Sequence, residues 1–107
     1  MALRHVVLFG FGKDQSQAAI AEVVRRFVEL KTLVPNINEM EWGENSSPEE
    51  LNHGHSHVFL LTFVNASARD AYLVHPDHAA FSSWVRPFVS RVTVLDYWVE
   101  SKAPSIS

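Results

Sequence analysis

The chain has 107 residues, 47% of them hydrophobic and 20% charged, with a net charge of −3. That balance describes one folded domain rather than a disordered segment, and a chain this short buries only about two-thirds of its unfolded surface, which favours association with a second copy. The nine Lys and Arg are scattered rather than gathered in a basic stripe, and there is no cysteine, which argues against a nucleic-acid surface and excludes disulfides and thiolate metal sites.

The opening MALRH lacks the regions of a signal peptide, and no apolar run approaches the roughly 20 residues of a membrane helix, so a cytoplasmic protein without membrane contact is expected. Residues 4–11, RHVVLFGF, predict a first strand with His5, Val7 and Phe9 on one face and Val6 and Leu8 on the other. Asp14 with Gln17 reads as a capping box. The helix it opens carries Ile20, Val23, Val24, Phe27, Leu30 and Val34 at three- and four-residue steps and stops at Pro35-Asn36.

A short second strand, 38–43, places Met40 and Trp42 between glutamates, and a polar loop, 44–56, follows it. Residues 57–64, HVFLLTFV, read as a strand buried on both faces. Asn65 or Ser67 caps a short helix over 68–74. Pro76 suits the first position of another, 76 to about 89, and turns His75 away from helical torsions. A last strand, 91–100, alternates Val92, Val94, Asp96 and Trp98 with Thr93, Leu95, Tyr97 and Val99. The single domain is expected over 1–101, with 102–107 a flexible tail.

This βαββαβ order predicts an α+β, ferredoxin-like domain: a four-stranded antiparallel sheet with its helices on one face. The open face, carrying Val6, Leu8, Val58, Leu60 and Thr62, is expected to meet a second copy and form a homodimer.

The titratable groups gather at AYLVHPDHAAF, residues 71–81. Pro76 at the first helical position makes His78 the third, where free amides and the positive helix end disfavour an imidazolium. A neutral imidazole there is what a general base requires; the plain alternative is a brace for the helix start. Tyr72, one turn earlier, can donate to a carbonyl oxygen that gains charge, or it is a core tyrosine with its hydroxyl at the rim. His5 and His57 on inward faces either make a polar floor for a small-molecule chamber or are satisfied by backbone carbonyls. The chamber is expected to be lined by Val7, Phe9, Val24, Phe27, Val28, Phe59, Phe81 and Trp84. His53, His55 and His57 alternate as metal ligands would, but in a Gly- and Asn-containing loop they define no geometry, and no metal is expected. His75 is expected to support the corner, and Asp96 to pair with a basic group or sit at the dimer edge.

Three stretches together, RHVV, GHSHV and YLVHPDH, resemble the stress-responsive α/β-barrel (Dabb) domain family of dimeric ferredoxin-like barrels, and the resemblance spans nearly the whole chain. Within that family the chain is similar to polyketide cyclases, which close a linear polyketide thioester by intramolecular aldol condensation. The resemblance implies a cyclase motif at His5, His57, Tyr72 and His78, with His78 as base, Tyr72 orienting the carbonyl, a small apolar acyl or polyketide ligand, and no cofactor. The competing expectations are a stress-associated dimer that binds a ligand without catalysis, and a metal-dependent enzyme.

Overall fold

Strand β1 (Leu3–Phe11) buries Leu3, His5, Val7 and Phe9 on one face and leaves Arg4, Val6 and Leu8 partly exposed on the other, so period-2 patterning acts here as the alternation predicts. In the computed structural model, which describes residues 2–100, β1 pairs antiparallel with β3 (His57–Phe63) and with β4 (Val89–Trp98). Strand β2 (Glu39–Glu44) pairs with β3, giving one sheet in the order β2-β3-β1-β4. The register sets His5 between Leu61 and Asp96, and Phe9 between His57 and Val92. The tail expected at 102–107 lies outside the described residues.

Three helices cover the inner face: α1 (Gln17–Leu33), α2 (Ala66–Leu73) and α3 (Pro76–Val85). This is the ferredoxin-like α+β arrangement. No helix among the described residues is long and apolar enough to cross a membrane. Helix α1 buries Val23, Val24, Phe27 and Leu30. The Phe27 ring stacks on Phe59 at 4.2 Å between centroids, with Phe9 at 5.5 Å from Phe59 and Phe81 at 4.8 Å from Phe27. These rings are the centre of the core and hold α1 and α3 to the sheet.

Several local boundaries differ from the sequence reading. The cap of α1 is Ser16, whose hydroxyl accepts from the Ala19 amide at 3.0 Å, not Asp14. Asp14 sits in a turn closed by the Gln15 amide on the Gly12 carbonyl, two residues too early to cap. Helix α2 is capped by Asn65 through the Ala68 amide at 2.8 Å. Helix α3 ends at Val85 rather than near 89; a 3-10 turn, Arg86–Phe88, follows, because Pro87 has no amide hydrogen with which to continue the ladder. Strand β4 accordingly begins at Val89 and ends at Trp98.

Strand β3 is not buried on both faces within one chain. His57, Phe59, Leu61 and Phe63 are buried inward, whereas Val58 is exposed and Leu60 partly so. With Leu95 and Tyr97 of β4, both exposed, they leave an apolar outer face that no helix covers. The loop after β2 folds over one corner of this face, where Thr93 donates to His55 Nε2 at 2.8 Å. Gly10 permits that approach: a Cβ there would collide with the Gly54 carbonyl.

Candidate functional site

Between α2, α3 and the inner face of β1 and β4 lies a cleft of about 310 Å³. Val7, Phe9, Val92 and Val94 form its floor, Phe27, Phe81 and Val85 one wall, and Tyr72, His78 and His5 a polar cluster. Ser82 and Arg86 are its remaining polar residues. A mostly apolar cavity of this size with a few convergent polar groups is the usual form of a small-molecule site.

The HPDH corner builds the cluster. Helix α2 gives way after Leu73, and His75 becomes the N-cap of α3, its Nδ1 accepting from the Asp77 amide at 3.1 Å. Pro76 occupies the first helical position with a preset φ, and His78 follows one face of the new helix toward Tyr72. The Tyr72 and His78 rings stand 4.4 Å apart, and His5 meets Tyr72 edge-on at 5.8 Å.

His78 donates its Nδ1 hydrogen to the Leu73 carbonyl at 3.1 Å, since a carbonyl can only accept. That fixes the neutral tautomer with Nε2 as the basic nitrogen. Burial pushes the imidazole pKa below its ordinary 6.5; the Leu73 carbonyl opposes this, and the neighbouring His5 and His75 add to the lowering. The ring therefore braces the helix start through Nδ1 and leaves the Nε2 lone pair available. Tyr72 is 1% exposed, and burial pushes its phenol well above the usual range. It stays protonated at neutral pH, a hydrogen-bond donor whose hydroxyl has no partner among the described residues.

His5 is buried, and its Nδ1 lies 2.7 Å from Asp96 Oδ1, across the β1–β4 pairing. The other Asp96 oxygen accepts from Arg69 at 2.9 Å, and Arg69 also holds Asp70 at 2.9 Å. A neutral imidazole that donates through Nδ1 to a carboxylate presents Nε2 as an acceptor. Thus Asp96 does pair with a basic group, and through the register it orients a second histidine at the cleft.

The remaining expected residues separate. His5, Val7, Phe9, Phe27, Tyr72, His78 and Phe81 meet on the cleft; His57, Val24, Val28, Phe59 and Trp84 do not line it. His57 lies at the far end of the sheet, bonded to the Ser56 hydroxyl at 2.8 Å, 3.4 Å from Glu44 and parallel to Trp42. There it borders a separate depression together with Val24. Phe59 is fully buried behind Phe27, Val28 is exposed, and Trp84 lies under the Arg26 guanidinium at 4.2 Å. The single polar floor expected from His5 and His57 is therefore not formed. Sequence reasoning missed Leu73, Ser82, Val85, Arg86, Val89, Val92 and Val94, which also line the cleft. Spacing carried a signal for some of them: Ser82 and Arg86 follow His78 at helical steps of four, and Val92 and Val94 share the Asp96 face of β4. Among the described residues no three metal-ligating side chains converge, and both ring nitrogens of His55 are engaged, with Asn52 and Thr93.

The fold is that of a ferredoxin-like α+β protein with an apolar cleft between sheet and helices. The model of the Dabb family, the stress responsive A/B barrel domain, matches residues 3–99, and the chain belongs to that family. It is similar to olivetolic acid cyclase of Cannabis sativa, 25% identical over 97 residues that cover 91% of this chain and 96% of the cyclase. The crystal structure of At3g17210 from Arabidopsis thaliana superposes with a TM-score of 0.89 at 29% identity, over 95% of this chain and 99% of that one. A dimeric ferredoxin-like protein of unknown function from Thermobifida fusca shares the fold at 18% identity, TM-score 0.79, with 92% of each chain covered.

Proposed function

We propose that the protein is a homodimeric, cofactor-independent enzyme that closes a ring by intramolecular aldol-type carbon–carbon bond formation on a β-polyketo or similar apolar acyl thioester. The observation that carries this reading is the Tyr72–His78 pair at 4.4 Å beside the Asp96-anchored His5, all on one apolar cleft. The similarity to olivetolic acid cyclase supports the reaction class. The product need not be the same, because the cleft is shaped by this chain's own side chains.

In the proposed sequence, Nε2 of neutral His78 removes a proton from the carbon next to a carbonyl. The enolate oxygen takes a hydrogen bond from the protonated Tyr72 hydroxyl, which strengthens as charge develops. The enolate carbon attacks a second carbonyl of the same chain, and the new alkoxide recovers the proton from His78. His5 Nε2 accepts from an enol or hydroxyl of the substrate and so holds the chain in its folded pose.

The test is a panel of β-polyketo thioesters incubated with wild type and with Tyr72→Phe, with products followed by mass spectrometry. Wild type is expected to cyclise at least one member, and Tyr72→Phe to do so about 10²–10³-fold more slowly, the usual effect of deleting one oxyanion donor. Saturable binding without turnover by either protein would favour the non-catalytic ligand-binding reading instead.

The exposed apolar outer face, with Val58, Leu60, Leu95 and Tyr97, supports pairing of two sheets face to face. Leu60→Glu places a charge in that interface and is expected to halve the mass seen by light scattering. An unchanged mass would place the contact elsewhere.

A further inference from the structure

Arg86 is the one residue lining the cleft that carries a permanent charge, and no carboxylate lines it. Its guanidinium has no ion-pair partner among the described residues, whereas Arg25, Arg26 and Arg69 are all paired. It stands at the C-terminal end of α3, where a cation also suits the helix dipole. His78, Ser82 and Arg86 follow one another at steps of four, and all three line the cleft. At the rise of an α-helix, the backbone positions of His78 and Arg86 are about 12 Å apart along the axis. Val7, Phe9, Val92 and Val94 form an apolar floor between the base and the cation.

We infer that this cleft recognises an amphipathic acyl compound by both ends, with Arg86, about two helical turns beyond His78, binding an oxyanion, a carboxylate or a phosphate, while the other end is presented to His78. The inference deepens the aldol-type reading and shares its cleft. The spacing corresponds to roughly ten bonds of an extended chain, taking about 1.2 Å per backbone bond. A planar guanidinium with free donors matches both oxyanions, which can be met by two parallel hydrogen bonds. Ser82, one turn before, adds a hydroxyl on the same side. In a chain of net charge −3, an acidic ligand is repelled overall and gains its attraction locally, so the position of this one cation selects the ligand's orientation.

Isothermal titration calorimetry at pH 8 tests this with decanoate, decanol, and the coenzyme A and N-acetylcysteamine thioesters of decanoic acid. Wild type is expected to bind decanoate, or the coenzyme A thioester, about tenfold more tightly than its neutral counterpart. Arg86→Gln is expected to erase that preference while binding decanol and the N-acetylcysteamine thioester as before, and Arg86→Lys to restore part of it. Loss confined to decanoate identifies a carboxylate; loss confined to the coenzyme A thioester identifies a phosphate. A preference that survives in Arg86→Gln, or is absent from wild type, overturns the inference. Cyclisation is read separately: turnover without an Arg86-dependent preference sinks only the anion site, and the preference without turnover of any thioester sinks only the enzymatic reading.

Discussion

Replacing His78 with alanine is expected to slow ring closure by about 10²–10⁴-fold, the range over which a positioned general base contributes. The loss should fall on kcat, because His78 is half-buried at the cleft edge and the apolar floor of the cleft is left in place. The pH profile separates the base from a mere brace. Burial lowers the His78 pKa below 6.5, so the neutral, active form persists as the pH drops past that value. The acid limb of kcat/KM is thus expected below pH 6.5, and to be absent from the residual activity of the alanine variant. The same shift contributes to stability: between the lowered folded value and 6.5 the unfolded chain binds more protons, so stability rises with pH through that window. A wild-type acid limb above 6.5, or equal products from both proteins, would contradict the assignment.

Phe59→Ala is expected to lower the free energy of unfolding by about 3–5 kcal/mol, a large share of the roughly 5–15 kcal/mol typical of a domain. Phe59 has no exposed surface and stacks on Phe27 at 4.2 Å, so truncation leaves a cavity lined by rings that cannot collapse far. Urea unfolding should show a lower midpoint with the slope unchanged. All proteins are compared at one concentration, because the midpoint of any chain that associates depends on it. An unaltered midpoint accompanied by a changed KM would return Phe59 to the substrate-contact role that the sequence suggested.

Legibility followed the range of the physical rule involved. The alternation of His5, Val7 and Phe9, the helical spacing of Val23, Phe27 and Leu30, and the proline that parts α2 from α3 are effects of near neighbours, and each survives in the structure. Caps were less secure, since Asp14 and Ser16 are both able acceptors and only the turn at Gly12 decides between them. Sequence alternation puts His57 on the inner face, where it lies, but not at the cleft. Strand alternation says which side a residue points to, but not how far along the sheet it lies. Pairing of His57 with Phe9, and of Leu61 with His5, puts the two histidines four residues apart, about 13 Å along the strands. Val28 and Trp84 failed for the helical counterpart of this reason: an apolar position on a helix does not reveal which neighbour covers it.

By itself, then, the sequence determined the order of elements, the inward faces of the strands, the αβ layering and the helix start that carries His78 beside Tyr72, all through interactions within a few residues. Only the tertiary structure set Asp96 against His5, removed His57 from the cleft, brought Val92, Val94 and Arg86 into it and left about 310 Å³ open. The register joins strands some ninety residues apart in the chain, His5 to Asp96 among them. It is decided by how the whole inner face packs, since a slip of one residue would turn every inward side chain to the outer face.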